Sequence, residues 1–491
     1  MKNFNSNPYI YFTFLIVFIA YLPVIVSSFY SIDDYYLYSL ADINSSTLGY
    51  NFYSTGRFAQ LFFADIFSLF NLQPITRPLG PILFIFSLVY LGKFICSHFN
   101  IKKNILYITF ICIFCINPFL YEIFSYSIVS IYSAFSIFFI TLALKKYLIY
   151  LETKKYRHIF LAIIYINLSL FTYQIFLPIL VTFLLIKIYI DFSSKKPLHI
   201  LNHIAFIFLS SLIYYLIIKI SFYIVPPNMA YFTSTDLGSF KDVFSINNFL
   251  TVAEKNLKFI FLDNPYNSKI SNILLISLSF LSLLFSKKVF YLKVIDIAVF
   301  IFFIAYFIFF ISGFSIFNIN LISARFFSAF SFFQFFFVYL LFTNSFYFFS
   351  TDQHKKFLKL VMILLLFVNT ALVNKLSLDQ FRMNSLDKQF INRLVSRLES
   401  FDQFNSNATL LIYGHFNFES TSINPKYPKN TISINSFSKV FAINEVSGYN
   451  FKNPSPNVLS DNENISKQLK AWPDKNSIIY LDNNLFLIRL N

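Results

Sequence analysis

Residues 31–57, SIDDYYLYSLADINSSTLGYNFYSTGR, hold the side chains best suited to chemistry in this chain. Asp33 and Asp34 form an acidic pair, and the stretch closes on Gly56 and Arg57. A carboxylate at a cleft on the membrane edge can deprotonate a hydroxyl nucleophile. Two neighbouring carboxylates raise one pKa, which leaves one as base and the other to orient it. The competing reading is a helix N-cap or a solvated loop end. Arg57 can grip a phosphate through two N–H groups, or it can anchor a short helix at the membrane surface.

Further candidates lie downstream. Glu122, in INPFLYEIFSYS, either binds a sugar hydroxyl or caps the helix that follows. Tyr173 and Gln174 together can stack on a sugar and hydrogen-bond to it, or simply form a polar break between two apolar spans. Arg325, at the start of the apolar run 326–349, needs a compensating anion, either a lipid phosphate or Asp33 or Asp34. His199 and His203 stand at i, i+4, but they lack an HExxH context and read as interfacial packing. Cys96, Cys112 and Cys115 all fall in apolar runs, an odd number with no disulfide framework, and read as buried thiols. No metal ligand set is evident and no cofactor is expected. The chain contains no G-x-G-x-x-G, P-loop or G-x-S-x-G motif.

The elements that must position these residues are written in the composition. Of 491 residues, 57% are hydrophobic and only 13% charged. With a mean hydropathy of +0.62, so much apolar surface requires lipid as part of the solvent. A span needs about 20 apolar residues. Candidates are 9–29, 78–97, 104–119, 125–144, 158–173, 175–190, 200–224, 271–286, 294–314, 326–349 and 357–376, about eleven in all. The run 58–70 is too short to span and reads as a helix lying along the interface. The long loop 225–270 has room for a short amphipathic helix.

The net charge of +16 does not indicate nucleic acid, because the basic residues cluster between apolar runs. Alternate connections carry Lys102 and Lys103, Lys145 to Arg157, Lys195 and Lys196, Lys287 to Lys293, and Lys355 to Lys359. The opposite short connections carry only Arg325. This asymmetry predicts a cytoplasmic N-terminus. It puts 31–77, 225–270 and everything after 376 on the outer face. From about 380 the chain changes character. An amphipathic helix over LDQFRMNSLDKQFINRLVSRLESF precedes strand-like ATLLIYG, NTISINS, NSIIYLD and NLFLIRL. The expected fold is therefore mainly α. A polytopic transmembrane bundle over 1–376 is followed by a small α/β domain outside the membrane over 377–491.

Several short motifs, in a shared order along the chain, resemble a known family. SIDDYYLY followed by TGRF, then INPFLYEIFSYSIVS, LSLFTYQIFLPI and the closing AWPDKNSIIYLDNNLFLIRL resemble the bacterial GtrII-like integral membrane glucosyltransferases. That is a serotype-modifying class with GT-C-type architecture. The resemblance implies an inverting transferase in the bacterial inner membrane, with its C-terminal domain in the periplasm. It would move a sugar, usually glucose, from an undecaprenyl-phosphate-linked donor to a surface polysaccharide such as O-antigen, or to another lipid-linked glycan. It further implies Asp33 or Asp34 as base, with Arg57 and Arg325 on the phosphate side. From the residues alone two other classes stay open, a transporter or flippase of lipid-linked sugars and a non-catalytic polysaccharide-assembly protein.

Overall fold

A computed structural model describes residues 8–26, 56–69, 73–99, 101, 105–193, 197–224, 246–262, 266, 268–286, 288, 290–310, 328–344, 349–414, 439–481 and 484–490. Asp33, Asp34, Arg325 and the expected strand NTISINS lie outside the described residues. The chain divides into two compact units. One gathers most of residues 1–374, and the other consists mainly of Lys375–Asn491.

The first unit is helical. Its elements in order are α1 (Pro8–Val26), α2 (Phe58–Leu69), α3 (Gln73–His98), α4 (Ile105–Cys115), the single turn α5 (Tyr121–Phe124), α6 (Ser127–Thr153) and α7 (Tyr156–Tyr173). They continue as α8 (Leu177–Ser193), α9 (Pro197–Ile224), α10 (Ile246–Phe261), α11 (Lys269–Leu284), α12 (Phe290–Phe310), α13 (Phe330–Thr343) and the first half of α14 (Thr351–Glu399), whose residues from Lys375 on belong to the second unit. Helix is the natural state of such runs, because a backbone in lipid must satisfy its own hydrogen bonds.

Among the described residues six helical runs are long and apolar enough to cross a membrane. The bent pair α4 with Pro118–Phe124 makes a possible seventh. Eleven were expected. The segments read as 158–173 and 175–190 fall in one apolar run, Tyr156–Asp191, whose helix breaks at Tyr173, α11 and α13 have 16 and 14 residues, and the expected spans 294–314 and 326–349 run partly outside the described residues. The helix α2 forms where a short interfacial helix was expected, and α10 forms within the loop 225–270. In α10, Val252, Ala253 and Asn256 are buried, whereas Glu254 and Lys258 are exposed.

Buried amides tie the bundle together at the bend after α4. Asn117 Nδ2 and Asn369 Nδ2 both donate to Gln334 Oε1, at 3.2 and 2.8 Å. Asn117 Oδ1 accepts from Phe119 N at 3.1 Å, capping the 3-10 turn Pro118–Leu120. Tyr21 OH approaches the carbonyls of Cys115 and Asn117, at 3.1 and 3.2 Å, and the Asn117 carbonyl also accepts from Leu120 N at 2.9 Å. In an apolar interior such amides must find each other, and they fix which helices meet.

The second unit is a small α/β assembly. Strands β1 (Thr409–Tyr413), β2 (Ile478–Leu481) and β3 (Leu485–Arg489) form a sheet in the order β1-β3-β2. β1 and β3 are parallel, and β2 and β3 antiparallel. Phe390, Ile391, Leu394 and Leu398 of α14 recur at helical spacing and bury against Leu410, Ile478, Phe486 and Ile488. Helices α15 (Lys439–Ser447) and α16 (Pro456–Gln468) complete the unit. Arg489 Nη1 donates to the carbonyls of Lys467 and Leu469 at the end of α16, at 2.6 and 2.7 Å, placing a cation where the helix dipole favours one. The guanidinium of Arg397 stacks 4.3 Å from the ring of Trp472 and donates to the Pro473 and Asp474 carbonyls, at 3.1 and 2.9 Å.

Lys439 is buried at the start of α15, with Nζ donating to the Gly414 carbonyl. Burial pushes its ammonium down to about 8 from an ordinary 10.5. Between these two values the unfolded chain binds a proton that the folded chain does not, so stability rises with pH across the window. Trp472 is the chain's single tryptophan and lies in this unit's core, so its fluorescence reports unfolding here. The unit's melting point is expected to climb from pH 8 to pH 10 more steeply in the wild type than in Lys439→Met. The difference amounts to at most about 3 kcal/mol. Parallel pH profiles for the two proteins would contradict the assignment.

Candidate functional site

Three of the sequence candidates come together. The first part of the chain re-enters the described structure at Gly56 and Arg57, immediately before α2. At the same place α7 breaks. Tyr173 is extended, with φ −160 and ψ 104, and a 3-10 turn over Gln174–Phe176 leads into α8. Arg57 Nε donates to Gln174 Oε1 at 3.2 Å, and the guanidinium lies 5.3 Å from the centre of the Tyr173 ring. The polar break and the Gly-Arg pair, some 117 residues apart in sequence, are therefore one feature. A charged amide contact and an aromatic face compensate the cation among apolar helices.

Gly56 is dictated by its neighbour α9. Its φ is +72, a conformation that suits glycine. A Cβ built there would meet Ile218 Cδ1 at 2.5 Å and the Tyr214 hydroxyl at 3.0 Å. Ile218 and Tyr214 are one helical turn apart and so share the face that presses on this loop end. Tyr214 OH donates to the Gly56 carbonyl at 3.4 Å and accepts from Gln174 Nε2. Its ring packs 5.2 Å from Phe171, which lies 5.4 Å from Phe58.

Two further contacts hold the loop end and the break in register. Gln60 Nε2, buried in the first turn of α2, donates to the Thr172 carbonyl at 2.6 Å. From α6, Tyr132 OH donates to the Gln60 carbonyl at 3.4 Å and Ser136 Oγ to the Tyr173 carbonyl at 3.1 Å. The carbonyls at the end of α7 that the break strips of helical donors are thus satisfied by side chains. Glu122 sits in α5 and is buried, with 8% of its surface exposed. The same α6 reaches its neighbour, since Ser130 Oγ donates to the Ile123 carbonyl at 2.8 Å.

Gln60 and Tyr214 escaped the reading of the sequence. Gln60 had a usable signal, being an uncharged amide inside a short apolar helix, where it must find a partner. Tyr214 had none, because one phenol among 33 tyrosines does not stand out. His203 meets Asp191 and Tyr147, with Nε2 3.1 Å from Asp191 Oδ2 and Nδ1 2.8 Å from the Tyr147 hydroxyl. Lys187 Nζ lies 2.8 Å from Asp191 Oδ1. These buried contacts join α6, α8 and α9. Among the described residues, no group of three or more His, Cys, Asp or Glu side chains is placed to hold a metal ion. The three cysteines are buried and unbridged.

Apolar helices of spanning length, with a guanidinium, an amide and phenols gathered where one of them breaks, define a membrane protein with a polar site among its helices. The family model for Glucosyl transferase GtrII matches residues 22–341, and the chain belongs to that family. It is a membrane glycosyltransferase, and its reaction class is glucosyl transfer. No curated protein and no solved structure matches the chain.

Gly56→Ala tests the strain built into the junction. The conformation costs about 1 kcal/mol for alanine, and the overlap with α9 about 1–3 kcal/mol more. The expected outcome is a membrane-inserted protein whose glucosyl transfer falls by about a hundredfold, because Arg57 is displaced. Transfer within about twofold of wild type would show that the close approach at Gly56 does not set the position of Arg57.

Proposed function

We propose that the protein transfers glucose from a polyprenyl-phosphate-linked donor to a surface polysaccharide, such as O-antigen, on the periplasmic face of a bacterial inner membrane. The observation that supports this most is the convergence of Arg57, Tyr173 and Gln174, a phosphate-binding cation beside an aromatic face and an amide. The asymmetry of basic connections supports a cytoplasmic N-terminus and a periplasmic C-terminal domain.

In this reading Asp33 or Asp34 accepts the proton of the acceptor hydroxyl. The hydroxyl oxygen attacks the anomeric carbon of glucose from the face opposite the phosphate. The bond between that carbon and the phosphate oxygen breaks, and its electron pair leaves with polyprenyl phosphate. Configuration at the anomeric carbon is inverted. Arg57 and Arg325 stabilise the charge that develops on the departing phosphate. Glu122 and Gln174 hydrogen-bond the sugar, and Tyr173 stacks against it.

The test is the surface-polysaccharide composition of cells carrying the wild-type gene, no gene, Asp33→Asn, Asp34→Asn or Arg57→Lys, with the membrane level of each protein measured. A glucose branch is expected to vanish without the gene and in one of the two Asp variants. It should fall about tenfold or more in Arg57→Lys, where a point charge replaces a fork of donors. A branch that survives both Asp substitutions would remove the first loop from the mechanism.

A further inference from the structure

Two of the contacts that place Arg57 pass through one hydroxyl. Tyr214 OH donates to the carbonyl of Gly56, the residue that precedes Arg57, and so fixes the backbone from which the guanidinium extends. The same oxygen accepts from Gln174 Nε2, which fixes the rotation of that amide. An amide can turn either its oxygen or its nitrogen toward a neighbour. With Nε2 committed to Tyr214, Gln174 Oε1 faces Arg57 Nε, as observed at 3.2 Å. The circuit closes on itself through Gly56, Tyr214, Gln174, Arg57 and the peptide bond back to Gly56.

The geometry points to Tyr214 as a positioning residue for glucosyl transfer, one that acts through Gln174 and Gly56 to set the orientation in which Arg57 meets the donor phosphate. This rests on the reading of Arg57 as the phosphate ligand. Tyr214 comes from α9, an element in which sequence reading found no candidate. Its role needs the hydroxyl alone, because the ring is held independently by Phe171 at 5.2 Å. Without the hydroxyl, Gln174 Nε2 and the Gly56 carbonyl lose the partner they share, and both the amide that meets Arg57 Nε and the backbone that carries Arg57 are held less firmly. Chains of hydrogen bonds that end on a charge couple in this way, so their members are non-additive when substituted together.

The experiment is a double-mutant cycle on the full-length protein in lipid nanodiscs. The rate of glucose transfer from polyprenyl-phosphate glucose is measured at subsaturating donor for wild type, Tyr214→Phe, Arg57→Lys and the double variant, with thermal stability recorded for each. Tyr214→Phe is expected to lower the rate about tenfold in a protein that stays folded and membrane-inserted. In the Arg57→Lys background the same substitution is expected to change the rate by less than about twofold, because lysine lacks the Nε–H that Gln174 orients. A merely structural role for Tyr214 gives the same factor in both backgrounds, and that outcome overturns the inference while leaving Arg57 as phosphate ligand. A wild-type rate in Tyr214→Phe also overturns it. If Arg57→Lys itself transfers at the wild-type rate, the phosphate reading of Arg57 falls and the role of Tyr214 falls with it.

Discussion

A guanidinium placed among apolar helices must be compensated, and the structure around Arg57 is organised by that requirement. Water supplies little solvation where Phe, Ile and Leu form the walls, so the cation draws on fixed partners. Gln174 gives an amide oxygen and Tyr173 an aromatic face. Those partners are available only because α7 stops at Tyr173 and exposes backbone and side chain together. The break in turn strands carbonyls, which Gln60 and Ser136 satisfy. Gly56 completes the arrangement by letting α9 approach without a Cβ in the way. Removing any one of these leaves a buried polar group without its partner, which costs more than the contact itself contributes.

The same logic holds at the bend between α4 and α5. Asn117, Gln334 and Asn369 come from segments far apart in the chain and share one amide oxygen. Leucine or phenylalanine packing is permissive about which helix meets which, whereas an amide in an apolar interior has few acceptable partners. These contacts give the turn before Glu122 a defined conformation. Membrane enzymes need such fixed points, because lipid itself exerts little preference among alternative helix packings.

Helix content, the amphipathic segment near 380–399 and three of the C-terminal strands were legible because periodicity and turn residues are local signals. Arg57, Tyr173 and Gln174 were legible as individuals, since a charge or a polar pair interrupting an apolar run needs a reason. Their convergence was not, because no local pattern couples residues separated by most of the intervening helices. Eleven spans were expected, and among the described residues six, or seven with the bent pair, are long and apolar enough to cross a membrane. Hydropathy alone reads Tyr156–Asp191 as one run, whereas the polar Tyr173–Gln174 mark the place where the backbone breaks. The run 326–349 contains the 14-residue helix α13, in which Phe332, Phe333, Phe335 and Phe336 are all buried. Tyr214 stayed silent because its role depends on a neighbour brought in by tertiary structure.

The central claim is that the junction of Gly56–Arg57 with Tyr173–Gln174 receives the phosphate of a lipid-linked glucose. The most direct measurement is photo-crosslinking of the full-length protein in nanodiscs with a polyprenyl-phosphate glucose that carries a diazirine beside the phosphate, followed by peptide mapping. The account predicts adducts on the segments around Gly56–Gln60 and Tyr173–Phe176, competed away by unlabelled donor. Adducts confined to the C-terminal unit, or to the Lys187–Asp191–His203 cluster, would contradict it.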